Sequence, residues 1–147
     1  LLEAPVRPRR IVLTVQYELA ERITAEPGHL SLLAVSVQYY GKAENVARVN
    51  PAVFWPRPDV DSAILRIDPH PVPVVDVPSD AAFFRVVKAG FSQKRKQLKN
   101  AMGGGLGMKA SAAGKLIEQA GVDPSRRAET LTVEEWAAIV RVVEAAR

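Results

Sequence analysis

Hydrophobic and polar positions change rhythm along the chain. Ile11-Val12-Leu13-Thr14-Val15 is short, apolar and β-branched, which predicts a buried strand. After Gln16, Tyr17 to Ala25 predicts a helix with Leu19, Ala20 and Ile23 inward, broken by Pro27-Gly28. Leu30, Leu33, Ala34, Val37 and Tyr40 then recur at i, i+3, i+4, i+7 and i+10, the stripe of a second helix that Gly41 ends. The β-branched Val35 and Val37 keep a strand open as the alternative there. Asn45 to Val49 predicts a short strand. Ser62 to Ile67 alternates toward another, with Ala63, Leu65 and Ile67 on one face.

Asp68-Pro69-His70-Pro71-Val72-Pro73 reads as a stiff linker, and beyond it the period is helical throughout. Ser79 or Asp80 is placed to cap a helix lined by Phe83, Val86, Val87 and Gly90. Gln93 to Ala101 predicts a second, very basic helix with Leu98 and Met102 as its apolar edge. The run Gly103-Gly104-Gly105-Leu106-Gly107 is expected to break it. Lys109 to Ala120 predicts a third helix, closed by Gly121. Thr132 opens the last, with Glu135 three residues on in capping-box register and Val133, Trp136, Ala137, Val140 and Val143 inward. Strand, helix, helix, strand, strand is the back half of a Rossmann-like α/β sheet, since a doubly wound sheet needs more strands. The expected organisation is that half-sheet over residues 1–70, then a small all-helical domain over 71–147.

The apolar content of 48% suffices for packed cores, and no apolar run is long enough to cross a membrane. The start of the chain does not look like a signal peptide, because Pro5, Arg7, Pro8, Arg9 and Arg10 interrupt it. With no cysteine there is neither disulfide nor thiolate metal site, which fits a reducing cytoplasm. Isolated His29 and His70 suggest no metal site. The net charge of +4 conceals an asymmetry, because residues 88–127 hold nine Lys/Arg against two Asp/Glu, a local balance of +7. That is the footprint of a phosphate-binding surface.

The stretch Val53 to Ile67 carries the candidate chemistry. Pro56 and Pro58 remove backbone donors and fix their own φ, so Phe54 and Trp55 sit on a rigid extended loop that runs into a strand. The residues alone leave two readings open: a stacking platform for a flat substrate, or rings that cap a core. Asp59 and Asp61 face opposite sides of an extended chain and make no carboxylate pair. The glycine run follows a helix instead of joining a strand to one, so it is no dinucleotide loop. Lys94, Arg95, Lys96 and Lys99 form the core of the basic segment, with Arg95 and Lys99 expected on one helix face and both exposed. Arg126 and Arg127 extend it.

Three stretches together resemble the small-subunit ribosomal RNA adenine dimethyltransferases of the kasugamycin-sensitivity type. They are Leu13-Thr14-Val15-Gln16 through Glu18-Leu19-Ala20-Glu21-Arg22 and Pro27-Gly28 to Ser36-Val37-Gln38-Tyr39-Tyr40; Phe54-x-Pro56-x-Pro58-x-Val60-Asp61-Ser62-Ala63; and Phe91 to Asn100 with Gly121-Val122-Asp123-Pro124-x-x-Arg127-Ala128-Glu129-x-Leu131-Thr132. The resemblance implies the C-terminal portion of such an enzyme, with the cofactor loop and the catalytic tetrapeptide upstream. It implies transfer of methyl groups from S-adenosylmethionine to N6 of two adjacent adenosines near the 3′ end of small-subunit rRNA. It places Phe54 against the target adenine, leaves Trp55 to local packing, and expects a monomer that is inactive by itself. Lys94 stands where an arginine is common, which keeps the charge and loses the bidentate fork. A non-catalytic RNA- or ribosome-binding module is the alternative from another class.

Overall fold

The computed structural model describes residues 1–147. It divides into two compact units, Leu1–Ala25 with Leu33–Val74, and Glu26–Leu32 with Val75–Arg147.

In the first unit, β1 (Ile11–Gln16) passes directly into α1 (Tyr17–Ile23). Then α2 (Leu32–Tyr40), β2 (Gly41–Val49) and β3 (Ser62–Pro69) follow. The three strands form one antiparallel sheet in the order β1-β3-β2. β3 is central because both its faces find cover: Ala63, Leu65 and Ile67 are buried, while Ile64, Arg66 and Asp68 are half-buried. Against that buried face lie Ile11, Ala20, Ile23 and Val37. Register sets Ile11 opposite Ile67, Leu13 opposite Leu65 and Val15 opposite Ala63, so β1 presents these residues to the same side.

Three sequence expectations need correcting here. β1 is not a buried strand: it is an edge, only Ile11 is buried, and Val12, Leu13 and Thr14 are exposed. Apolar composition marks a strand, whereas its burial depends on neighbours that local sequence does not name. Leu33 is exposed, and α2 buries Ala34, Val35, Val37, Tyr39 and Tyr40 instead. β2 begins at Gly41 itself, where a Cβ would lie 2.8 Å from the carbonyl oxygen of Asp68, and it bulges at Val46, which has no partner in the register.

The second unit holds α3 (Asp80–Gly90), α4 (Leu98–Leu106), α5 (Ala110–Gln119) and α6 (Val133–Ala145). Ser79 Oγ accepts from the Ala82 amide at 3.0 Å and starts α3. At α6, Thr132 Oγ1 accepts from Glu135 N, and Glu135 Oε1 accepts from Thr132 N, each at 3.1 Å. This is the capping box that the spacing predicts. Trp136 is fully buried and, with Phe83, Leu98, Met102, Ile117, Leu131 and Ile139, builds the core. Gly28 N and Leu30 N donate to the Glu129 carbonyl at 2.9 and 3.2 Å, which ties the 26–32 segment to this unit.

The glycine run ends the helix only at its last residue. Gly103, Gly104 and Gly105 lie inside α4, and the left-handed residue that ends the helix is Gly107, at φ 69°. Glycine costs a helix about 1 kcal/mol per residue, and close packing offsets that here. A Cβ on Gly105 would meet Ala89 Cα and Cβ at 2.6 Å, and one on Gly103 would meet the Met108 carbonyl at 3.0 Å. The helix predicted over 93–101 also starts late. Residues 92–97 form turns after the Phe91 cap of α3, and α4 begins only at Leu98.

Candidate nucleic-acid interface

The proline loop lies between β2 and β3. Asn50 Oδ1 accepts from Ala52 N at 2.9 Å and caps a single 3₁₀ turn, Pro51–Val53, with Pro51 in its first position. Phe54 leaves that turn in extended geometry, φ −103° and ψ 148°, and the following Trp55–Pro56 peptide is cis. At the far end the Asp61 carbonyl accepts from Tyr17 N at 2.9 Å, and Arg48 Nε donates to Asp61 Oδ2 at 2.5 Å. The Arg48 guanidinium lies 4.2 Å from the centroid of the Tyr17 ring. The hydrogen bond to Asp61 raises the Arg48 pKa still further. The loop is therefore ordered locally at its start and tethered at its end, and a cleft of about 290 Å³ opens beside it, lined by Gln16, Tyr17, Glu18, Arg48, Val60 and Asp61.

Phe54 is 37% exposed on this loop, and Trp55 is 96% exposed. Trp55 does not pack locally as the sequence reading had it. The Arg48–Asp61 closure joins residues 13 apart and has no local sequence pattern. Its signal was the placement of Asp61 just before a strand whose partner strand ends in Arg48-Val49, with Val49 opposite Ser62.

In the helical unit, Lys94, Arg95 and Lys96 are exposed on the turn between α3 and α4, where no helical face orders them. Lys99 stands on the first turn of α4, half-buried, with its stem 3.8 Å from where a Gly114 Cβ would sit. Arg95 and Lys99 consequently share no helix face, because the helix starts between them. Lys88, Lys109, Lys115 and Arg127 are exposed. Asp123 Oδ1 accepts from the backbone and hydroxyl of Ser125 at 2.9 and 2.7 Å, which folds the turn preceding Arg126 and Arg127 and holds the Asp123 carboxyl below its usual range.

Arg126 turns inward. Its Nη1 pairs with Glu135, its Nη2 donates to the Thr130 carbonyl at 2.6 Å and its Nε to Thr130 Oγ1 at 3.2 Å. Burial pushes the Glu135 pKa up, and the Arg126 hydrogen bond with the Thr132 amide outweighs it, so the net direction is down. The guanidinium that the sequence placed on the RNA-facing surface thus braces the α6 cap.

A glycine loop that follows a strand and opens a helix, of the kind that seats dinucleotide phosphates, is not formed by these residues. The direct strand-to-helix junction, from β1 to α1, carries Gln16-Tyr17-Glu18, and the triple glycine lies within α4 against α3. No group of three His, Asp or Glu side chains comes together to hold a metal ion. No helix is long and apolar enough to cross a membrane.

The fold is that of rRNA methyltransferases. It matches a dimethyladenosine transferase from Plasmodium falciparum at a TM-score of 0.76 and 21% identity, over 94% of this chain and 59% of that one. It matches the 23S rRNA methyltransferase ErmE at 0.68 and 24%, over 97% and 57%. In sequence, the ribosomal RNA adenine dimethylase family model matches residues 1–145, and the chain belongs to that family. It is 42% identical over 135 residues to the ribosomal RNA small subunit methyltransferase A of Dehalococcoides mccartyi strain CBDB1, covering 92% of this chain and 46% of the relative. It is 43% identical over 146 residues to that of Moorella thermoacetica, covering 98% and 50%. The chain spans about half the length of the curated relatives it matches.

Proposed function

We propose that this chain is the C-terminal portion of an rRNA methyltransferase that dimethylates N6 of two adjacent adenosines near the 3′ end of small-subunit rRNA. Residues 1–70 complete the methyltransferase domain, and 71–147 form the rRNA-binding domain of a cytoplasmic, monomeric enzyme. S-adenosylmethionine supplies the methyl group and is held by the part of the enzyme that this chain does not span. Phe54 stacks on the target adenine once it leaves its helix. Lys94, Arg95, Lys96, Lys99 and Arg127 neutralise backbone phosphates, which positions the RNA without reading its sequence. Arg126 shapes the loop that presents Arg127.

The observation that carries this reading is the tethered loop. Phe54 stands partly exposed on a segment ordered by Asn50 at its start and tethered by Arg48 and Tyr17 at its end. A ring already held in place loses little entropy when a base stacks on it.

The test uses an enzyme of the relatives' full length that carries this chain. Stacking on an aromatic ring contributes about 1–3 kcal/mol, so Phe54→Ala should slow methylation roughly 5- to 150-fold. Calorimetric affinity for S-adenosylmethionine should not change. Phe54→Tyr should recover part of the rate. Normal methylation with a lowered melting temperature would make Phe54 a packing residue and end this assignment.

A further inference from the structure

Given that the chain meets RNA as proposed above, we propose that Trp55 is a second nucleobase platform, which stacks an unpaired base next to the one taken by Phe54. Three observations converge on it. Trp55 is 96% exposed, the most exposed of the large apolar side chains, although tryptophan normally buries most of its surface. Its backbone lies beside Phe54, between the turn that Asn50 caps and the Arg48–Asp61 pair, and is followed by Pro56 and Pro58. Phe54 is extended, and neighbours along an extended chain point to opposite sides, so the two rings serve different occupants.

The size of the feature selects the occupant. One indole offers about 150–250 Å², far below the ~800 Å² that each partner buries in a stable protein interface, but it matches a single base. Arg57, exposed two residues further on, is within the same loop to meet the adjoining phosphate. A base on Trp55 would keep its neighbour unstacked and available, which a reaction on an extruded adenine requires.

Fluorescence can read this site alone. The chain has two tryptophans, and the other, Trp136, is fully buried. Acrylamide should quench Trp55 and spare Trp136. A single-stranded oligoadenylate about ten nucleotides long should quench the Trp55 emission and shield it from acrylamide. An RNA duplex of equal charge should bind without doing either. Trp55→Leu should weaken oligoadenylate binding roughly 5- to 150-fold at fixed salt, Trp55→Phe should keep most of the affinity, and neither should move duplex binding.

Salt-dependent binding of both RNAs, with no quenching and with Trp55→Leu unchanged, would overturn the platform and leave RNA binding standing. Failure of both RNAs to bind at low salt would overturn both ideas together. A blue shift that grows with protein concentration in the absence of RNA would make Trp55 a contact between copies, and would overturn the platform too.

Discussion

Gly105 and Ala89 bring α4 onto α3 backbone to backbone: a Cβ on Gly105 would lie 2.6 Å from both the Cα and the Cβ of Ala89. Nothing there can rotate aside. Gly105→Ala should therefore cost about 1–3 kcal/mol through overpacking. Gly104, one residue earlier in the same helix, has only the tip of the Gln93 side chain at 3.5 Å, and Gly104→Ala should stabilise by about 0.5–1 kcal/mol. Urea melts of the two variants should move in opposite directions. If both stabilise, the helices have room that the distances deny.

RNA affinity should follow the exposed cations. With about four phosphates neutralised, log K against log salt should slope at roughly −3 to −4. Replacing Arg95 and Lys99 by Ala should flatten the slope by about one to two units, and Arg127→Ala by about one. Arg126→Ala should act differently, lowering the melting temperature because Glu135 loses its partner. Filter binding at several salt concentrations separates the two behaviours. An unchanged slope in the double variant would make the basic turn an ordinary solvated surface.

Arg48 should hold the proline loop without holding the fold, since its own side chain in the pair with Asp61 is exposed. Arg48→Met keeps the stem and loses both the ion pair and the contact with Tyr17. Amide exchange should quicken at Tyr17, Val53 and Phe54 while the melting temperature stays nearly constant. Unchanged protection there would mean that Asn50 and the prolines suffice.

Glu135 gives the helical unit an acid limit. Its folded pKa is depressed, so the stability it contributes is fully present above the ordinary glutamate value of about 4.3 and is lost as pH falls through the lowered value. Glu135→Gln should cost about 0.5–2 kcal/mol at neutral pH, in line with losing a cap. The difference between variant and parent should shrink as the pH drops below about 4. A difference independent of pH would locate the cost in packing instead.

Features whose causes lie within a few residues were legible. Ala63, Leu65 and Ile67 declare their face by alternation, Thr132 and Glu135 their cap by spacing, and Gly121 ends its helix where expected, at φ 80°. Features decided by a distant partner were not. Gly103 to Gly105 look like a break until Ala89 and Met108 appear beside them. Lys94 to Lys96 suit a helix by propensity, yet α4 starts only at Leu98, whose amide is taken by the Arg126 carbonyl. Arg126 reads as one more surface cation because its partner, Glu135, is nine residues away. For the candidate site, the sequence marked the loop and its rings. It could not mark which ring stands in solvent.

The start of α4 carries a further consequence. Its first amides are already engaged: Leu98 N by the Arg126 carbonyl at 2.7 Å, Lys99 N by that of Pro124 at 3.2 Å, and Asn100 N by that of Gln97 at 3.0 Å. Helix starts commonly seat phosphates through such amides, and this one has none to offer. On the reading proposed above, phosphates at this point would be met by the long side chains of Lys99 and its neighbours and not by helix-start amides, and such contacts favour no single register. This end of α4 thus offers charge without a seat, and the rRNA binding proposed above would draw from it attraction and no alignment.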